Sequence, residues 1–188
     1  MERIRQYFEK MVSLTDSDWK VFTSRLVRQD FPKKQLILKA GQTEKYLSFI
    51  EKGMIRFYMD RDENELSFAF AFEEEFVSAY DSFLTGTPSI YHVQAITPLT
   101  LWRISYDDLQ SVYRETTIGE RIGRKASEYL FLKKSRRELS LLSEPAEDRY
   151  LKLLTERPDL IQKIPLKYLA SYIGITPQAL SRIRKRIS

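Results

Sequence analysis

Apolar residues recur at helical spacing near the start of the chain. Trp19 and Phe22 lie three positions apart, with a leucine four positions further on, which places them on one face of an α-helix. A hydroxyl at Thr15 or Ser17 can cap this helix by accepting a bond from a free backbone amide. The pattern therefore predicts helical structure over residues 2–30.

From Phe31 to Arg103 the pattern changes to short apolar runs separated by turn residues. The runs read LILK, YLSFIEK, MIRFYM, LSFAFAF and TLWRI. Within residues 66–72, phenylalanine alternates with serine and alanine, so large side chains face one side and small ones the other. We expect the aromatic face to be core. Many short strands with turns between them predict an antiparallel barrel or sandwich and, with the flanking helices, an α+β fold.

A long helix is predicted over residues 118–142, where proline is absent. Ile118, Ile122, Ala126 and Tyr129 recur along it at near-heptad spacing. A helix of about 25 residues spans about 37 Å, more than the core of a small domain requires. The apolar stripe is therefore expected to meet another helix, which a symmetric homodimer would supply. Packing against the chain's own barrel is the alternative.

Composition excludes several kinds of chemistry. The 188 residues are 43% apolar and 30% charged, as in a folded protein, and include no cysteine and one histidine, His92. Without cysteine there are no disulfides, thiolate zinc sites or iron–sulfur clusters. One histidine cannot form the multi-histidine centre of a metal-dependent β-roll enzyme, and no nucleophile–base pair is evident. We expect no enzyme, no metal and no cofactor.

Charge is unevenly distributed along the chain. Residues 1–115 carry 15 Lys and Arg against 18 Asp and Glu, whereas residues 116–188 carry 16 against 8. A basic C-terminal region favours a polyanionic partner. The chain has no apolar stretch of about 20 residues for a membrane helix. Its start contains two acids and no long apolar core, so it does not resemble a signal peptide. We therefore expect a cytoplasmic protein with no membrane partner.

Residues 164–187 carry the most specific pattern. Apolar positions recur on both sides of a glycine: Leu166, Leu169, Ala170, Ile173, Ile175, Leu180 and Ile183. Gly174 can adopt the positive φ that ends a first helix, and Thr176 can cap a second helix that begins with Pro177. This spacing predicts a helix-turn-helix whose second helix enters the DNA major groove. An ordinary helical hairpin with a basic end is the alternative.

Three segments resemble those of one family, the Crp/Fnr transcription regulators of bacteria. Residues 31–59, FPKKQLILKAGQTEKYLSFIEKGMIRFYM, resemble the start of its cyclic-nucleotide-binding β-roll; residues 118–142 resemble its dimerisation helix, and TPQALSRIRKRI its recognition helix. The resemblance implies a sensor-like β-roll over 1–116, a dimerisation helix over 117–143 and a winged-helix-like DNA-binding domain over 144–188. It also implies a homodimer on a two-fold-symmetric DNA site, with RNA polymerase as a further partner. The family's β-hairpin wing is expected to be absent or truncated.

The residues expected to face DNA lie on one side of the second helix. They are Thr176, Gln178, Ser181, Arg182 and Lys185. By resemblance, Gln178 takes the place of the family's base-reading glutamate, and glutamine suits adenine where glutamate suits cytosine. Arg182 matches the family's last arginine, which contacts guanine or phosphate, whereas Pro177 replaces its first. Ser181 and Lys185 are expected to contact phosphates.

The phosphate cassette of the family is altered in residues 74–95. Cyclic-nucleotide binders of the family carry Gly-Glu and later Arg-Ser or Arg-Thr, where this chain has Ser78-Ala79 and Tyr91-His92. The stretch contains no arginine to neutralise a phosphate. We therefore expect no response to cyclic AMP.

Three acids at positions 73–75 are expected to repel a phosphate further. A different small-molecule effector, if the chain has one, is predicted near Ser78, Tyr80, Tyr91 and His92; the alternative is that these tyrosines are core residues and no effector binds. For the whole chain, the alternative is a ligand-binding or protein-interaction module whose helix-turn-helix does not read DNA.

Overall fold

The computed structural model describes residues 1–62 and 64–187. The predicted α+β class is confirmed. The helices are α1 (Glu2–Glu9), α2 (Asp16–Thr23), α3 (Tyr80–Thr85), α4 (Tyr106–Glu115), α5 (Gly119–Ser143), α6 (Ala146–Glu156), α7 (Pro158–Lys163), α8 (Leu166–Ile173) and α9 (Pro177–Ile187). The strands are β1 (Val27–Phe31), β2 (Leu36–Leu38), β3 (Tyr46–Lys52), β4 (Ile55–Arg61), β5 (Asn64–Ala71), β6 (Phe76–Val77), β7 (His92–Ala95) and β8 (Leu99–Ser105).

The strands form two four-stranded sheets within the described residues. One sheet has the order β1-β8-β3-β6 and the other β2-β7-β4-β5. β1 pairs antiparallel with β8, from Val27 opposite Arg103 to Phe31 opposite Leu99. β3 pairs antiparallel with both β8 and β6. The antiparallel strands predicted from the short apolar runs are thus confirmed, and so is the β-roll that the resemblance implies.

The N-terminal region is less helical than the sequence predicts. Thr15 caps α2 by accepting the amide of Asp18 at 3.1 Å, but this helix ends at Thr23. Val27–Phe31 is a strand, so the helix predicted through residue 30 was wrong over this segment. The reason is tertiary, because the backbone of β1 bonds to β8, which is distant in sequence.

The alternating segment of β5 is buried on both faces. Phe70 and Phe72 are buried core residues, as the alternation predicts, and Phe68 is half-buried. Ser67 and Ala71 on the small-residue face are buried as well. The small residues are therefore also covered by other parts of the chain.

The chain divides into two compact units, with the boundary inside α5. The first unit is Met1–Phe57 with Phe70–Glu128, and the second is Tyr58–Ala69 with residues 129–187. The first unit has a core formed by Ile4, Phe8, Phe22, Phe49, Phe83, Ile104, Leu109 and Val112. The second contains the distal half of the β4–β5 hairpin, the C-terminal part of α5, and α6–α9.

The predicted division at residues 116 and 143 stays a prediction, and Ser188 at its end lies outside the described residues. In the part of the chain that the structure describes, none of the helices combines the length and hydrophobicity that a bilayer crossing needs. The same residues contain no group of three or more His, Cys, Asp or Glu side chains placed to hold a metal ion.

Candidate nucleic-acid interface

α8 and α9 have the burial that a helix-turn-helix requires. Leu169, Ala170 and Ile173 on α8 are buried, and so are Leu180 and Ile183 on α9. Ala170 is wholly buried, so a larger side chain there would enter the contact between helices. The two helices therefore pack through the apolar positions that the sequence pattern indicates.

The turn between the two helices depends on a glycine. Gly174 has φ +86°, a left-handed conformation that glycine adopts without strain. Its amide donates to the carbonyls of Ala170 and Ser171 at 3.0 Å, and the amide of Ile175 donates to Ala170 at 3.0 Å. This bonding pattern ends α8 and starts the turn toward α9.

α9 begins at a side-chain cap and presents a polar face to solvent. Thr176 Oγ1 accepts the amide of Ala179 at 3.2 Å. The residues predicted to face DNA are all exposed: Thr176, Gln178, Ser181, Arg182 and Lys185. The hydroxyl of Ser181 donates to the carbonyl of Pro177 at 3.0 Å, which leaves its oxygen lone pairs on the outer surface. The structure thus brings all five predicted residues onto one short, accessible element.

Two arginines that the sequence analysis missed bind the C-terminal end of α8. Arg149 of α6 donates to the carbonyl of Ile173 through Nε at 3.0 Å and Nη2 at 2.8 Å. Arg137 of α5 donates to the carbonyl of Tyr172 and lies 3.8 Å from the centre of the Tyr172 ring. Burial lowers the pKa of Arg137, but a guanidinium stays protonated at physiological pH. No sequence pattern marks these contacts, because their acceptors are backbone carbonyls.

The first part of the predicted dimerisation stripe packs within its own subunit. Ile122 contacts the core of the first unit. Gly123 lies so close to α4 that an added Cβ would be 2.9 Å from the hydroxyl of Tyr113. Ile118 and Ala126 are half-buried. For this part of α5 the structure favours packing against the chain's own core.

The second part of α5 carries an exposed apolar stripe. Tyr129, the last residue of the predicted set, is 60% exposed, and Leu132, Leu139 and Leu142 are 51%, 60% and 79% exposed. The four residues are separated by three, seven and three positions. This spacing places large apolar side chains along one side of a helix, as in helices that pack against a partner helix.

Two of the four residues predicted for an effector pocket have structural contacts near α3. Ser78 Oγ donates to the carbonyl of Tyr46 at 2.9 Å. The Tyr80 ring stacks on Phe83, with 6.1 Å between ring centres, and contacts the core of the first unit. Tyr80 thus fits the core alternative that the sequence analysis left open.

Tyr91 and His92, the other two residues predicted for an effector pocket, also have structural contacts. The Tyr91 hydroxyl donates to the carboxylate of Asp81, and burial, followed by this bond, raises the pKa of Tyr91. His92 is buried, and its Nδ1 accepts the amide of Ala40 at 3.2 Å. The structure thus holds the four residues in separate contacts, and an effector site at them stays a prediction.

The acids at positions 73–75 are bonded within the roll. Glu73 Oε1 accepts the amide of Gly53 at 3.0 Å. Arg3 lies 3.8 Å from Glu73 and 3.7 Å from Glu74. These contacts partly neutralise the acids, so the repulsion expected of them is weaker than the sequence indicates.

A cavity of about 450 Å³ opens on a different part of the roll. Its lining includes Glu44 and Tyr46 at the start of β3, Phe83 and Leu84 at the end of α3, and Tyr106 at the start of α4. The residues predicted for an effector pocket do not line this cavity. The sequence analysis did not find it, because its walls come from three separate segments.

A β-roll joined through a long helix to a helix-turn-helix is the architecture of the Crp/Fnr regulators that the sequence resembles. Residues 28–116 match the family of the cyclic nucleotide-binding domain. No curated protein sequence matches the chain.

Solved regulators have the same fold as this chain. CLP, a c-di-GMP-responsive global regulator of Xanthomonas campestris, is 20% identical, with a TM-score of 0.70 over 92% of this chain and 91% of CLP. FixK2 of Bradyrhizobium japonicum is 14% identical, with a TM-score of 0.70 over 86% and 84%. A Eubacterium rectale protein assigned to the crp/fnr family of transcriptional regulators is 15% identical, with a TM-score of 0.70 over 92% and 83%. The resemblance indicated by the sequence is therefore confirmed at the level of the fold.

Proposed function

We propose that this chain is a homodimeric, sequence-specific DNA-binding transcription regulator that reads DNA with α9. The observation that carries the proposal is the capped helix α9, which is buried through Leu180 and Ile183 and exposes its polar and basic residues. An α-helix fits the major groove of B-DNA, where side chains can reach the base edges. The net charge of +8 over residues 116–188 would attract the phosphates and release counterions.

The exposed residues of α9 divide by the contacts they can make. Gln178, near the start of the helix, can bond both N6 and N7 of an adenine through its amide. Arg182, one turn later, can bond a guanine or a phosphate. Lys185 and Ser181 suit phosphates, which supply affinity without sequence information. We therefore propose a half-site that differs from those read by a glutamate at this position.

Dimerisation is proposed to use the exposed stripe of α5. Two copies of Tyr129, Leu132, Leu139 and Leu142 packed across a two-fold axis would cover apolar surface that a single chain leaves in water. Such a dimer presents two copies of α9 to a symmetric DNA site. A regulator bound there would change the access of RNA polymerase to a promoter.

The roll is proposed not to respond to cyclic AMP. The positions where relatives carry arginine and serine are Tyr91 and His92, which bond to Asp81 and Ala40. A phosphate placed there would lose its hydration without gaining a cation.

Selection of bound duplexes from a random pool tests the proposed function, followed by titration of the selected site at several salt concentrations. Arg182→Ala is expected to weaken binding by about 1–3 kcal/mol and relax the preference at one base pair. Arg124→Ala is the matched control, because it removes the same charge from an exposed position on α5. If no sequence is enriched and binding does not depend on salt, the chain is instead a ligand-binding or protein-interaction module.

A further inference from the structure

The first helix of the helix-turn-helix lies against the open edge of β5. β5 is the last strand of its sheet, so in the described part of the chain one side of it has no strand partner. On that side, the amide of Ser67 donates to Ser171 Oγ of α8 at 2.7 Å. The same Oγ lies 3.5 Å from the carbonyls of Glu65 and Ser67 and can donate to either. The Ser171 hydroxyl therefore accepts a hydrogen bond from a backbone amide of this edge strand and can donate one to a backbone carbonyl of the same strand.

This contact is partly buried, and it involves the backbone of a buried residue. Ser67 is 0% exposed, so its side chain is covered on all sides. Its own hydroxyl has no hydrogen-bond partner among the described residues. The bond to α8 therefore runs through the backbone of Ser67, and alanine would serve there as well as serine.

We propose that Ser171 is a positioning residue, which holds α9 in its DNA-reading orientation by docking α8 on β5. This inference rests on the proposed DNA binding. α8 and α9 share a buried contact and the short turn at Gly174, so a constraint on α8 is passed to α9. The docking leaves Gln178 and Arg182 on α9 exposed, which is the arrangement that binding to a duplex requires.

The proposal is tested on the full chain with Ser171→Ala, by two independent readouts. The first is amide hydrogen exchange of Ser67, measured without DNA, which is expected to become faster because its acceptor is lost. The second is affinity for the selected duplex and for an unrelated duplex. The affinity for the selected duplex is expected to fall about three- to tenfold, the range for one hydrogen bond, while that for the unrelated duplex stays unchanged.

Three further variants separate positioning from a general loss of structure. Ser67→Ala keeps the backbone amide and is expected to match the wild type in both readouts. Ser143→Ala removes a serine hydroxyl that donates within α5, to the carbonyl of Leu139, and should also match the wild type. Ser171→Thr retains a hydroxyl and is expected to restore much of the specific affinity.

The outcomes are distinguishable from a failure of the proposed function. If the wild-type chain binds no selected duplex, the proposed DNA reading fails, and the exchange of Ser67 alone shows whether the docking exists. Unchanged exchange in Ser171→Ala overturns the proposal. It is equally overturned if exchange accelerates but specific affinity is retained, or if both affinities fall together with the unfolding temperature.

Discussion

Removal of one partner from the buried ion pair between Arg103 and Glu44 should be among the most destabilising single substitutions in the β-roll, because it would leave a buried group without its counter-charge. Arg103 Nη2 lies 3.5 Å from Glu44 Oε1, and the two side chains are 8% and 5% exposed. Burial raises the pKa of Glu44, while bonds from backbone amides and the charge of Arg103 oppose that rise. Burial also lowers the pKa of Arg103, and Glu44 opposes the change. Each residue therefore stabilises the charged form of the other.

The size of the expected stability loss depends on the contacts that the remaining partner keeps in each variant. At 3.5 Å and an effective dielectric constant of about 20, the attraction is about 5 kcal/mol before desolvation is counted. In Glu44→Gln, Arg103 keeps Ser48 at 3.3 Å, Gln29 at 2.7 Å and the face of Tyr46 at 4.0 Å. We therefore expect a loss of about 3 kcal/mol, the lower end of the range for breaking a buried pair.

Urea unfolding followed by circular dichroism measures this loss, at one protein concentration because the stability of the proposed dimer would depend on it. Arg103→Met should cost a similar amount of unfolding free energy at pH 7, because it would leave the carboxyl of Glu44 buried without its cation. Its folded-state pKa is raised, so the folded chain binds more protons than the unfolded one, and the deficit should shrink as the pH falls toward 5. The double variant should cost less than the sum of the single ones. Single losses below about 1 kcal/mol, or strict additivity, would refute this reasoning.

Three further predictions concern the turn, the dimer and the effector. Gly174→Ala should lower the free energy of unfolding by about 1–2 kcal/mol because of its φ of +86°, since the added Cβ meets only ordinary contacts, and it should weaken DNA binding. The control Gly86→Ala, at φ +69° in the roll, should lower the unfolding temperature similarly without affecting DNA affinity. An equal loss of DNA affinity in both variants would contradict this prediction. Leu139→Glu should yield monomers in sedimentation analysis, whereas Leu84→Glu, at a similarly exposed leucine of the roll, should remain dimeric. If both variants are dimers, the exposed stripe of α5 is not the interface. Cyclic AMP at 1 mM should leave the unfolding temperature unchanged, because a ligand at 100 times its Kd would add about 2.7 kcal/mol and raise it by several degrees.

The helix-turn-helix could be predicted from the sequence because its cap, its turn and the contact between its two helices are formed by neighbouring residues. The cap at Thr176, the glycine at 174 and the apolar positions from Leu169 to Ile183 lie within one short segment and bond mainly to one another. Such a pattern predicts the same local structure in different tertiary contexts. The exposure of Gln178 and Arg182 follows from the same helical periodicity.

The elements that sequence reasoning missed depend on distant partners. β1 has polar residues at three of its five positions and becomes a strand because β8 pairs with it. Arg103 reads as one residue of a strand, and only the fold shows that Glu44 and Gln29 approach it from other elements. Ser171 reads as a polar residue on a helix, and its role depends on an edge strand about 100 positions earlier. Periodicity identifies elements, but it does not identify which elements meet.

The distribution of arginine within the roll limits the ligands that this domain can hold. Arg103 is committed to Glu44, and Arg56, 2% exposed, donates from Nε to Gln94 at 2.7 Å. Because residues 74–95 contain no arginine, an anion at the family's phosphate position would give up water without gaining a positive partner. The cavity beside Glu44 and Tyr106 is lined by aromatic rings together with Lys45 and the carboxylates of Glu44 and Asp107, so its lining carries both signs of charge. The excess of positive charge lies in residues 116–188, and α9 exposes part of it to solvent.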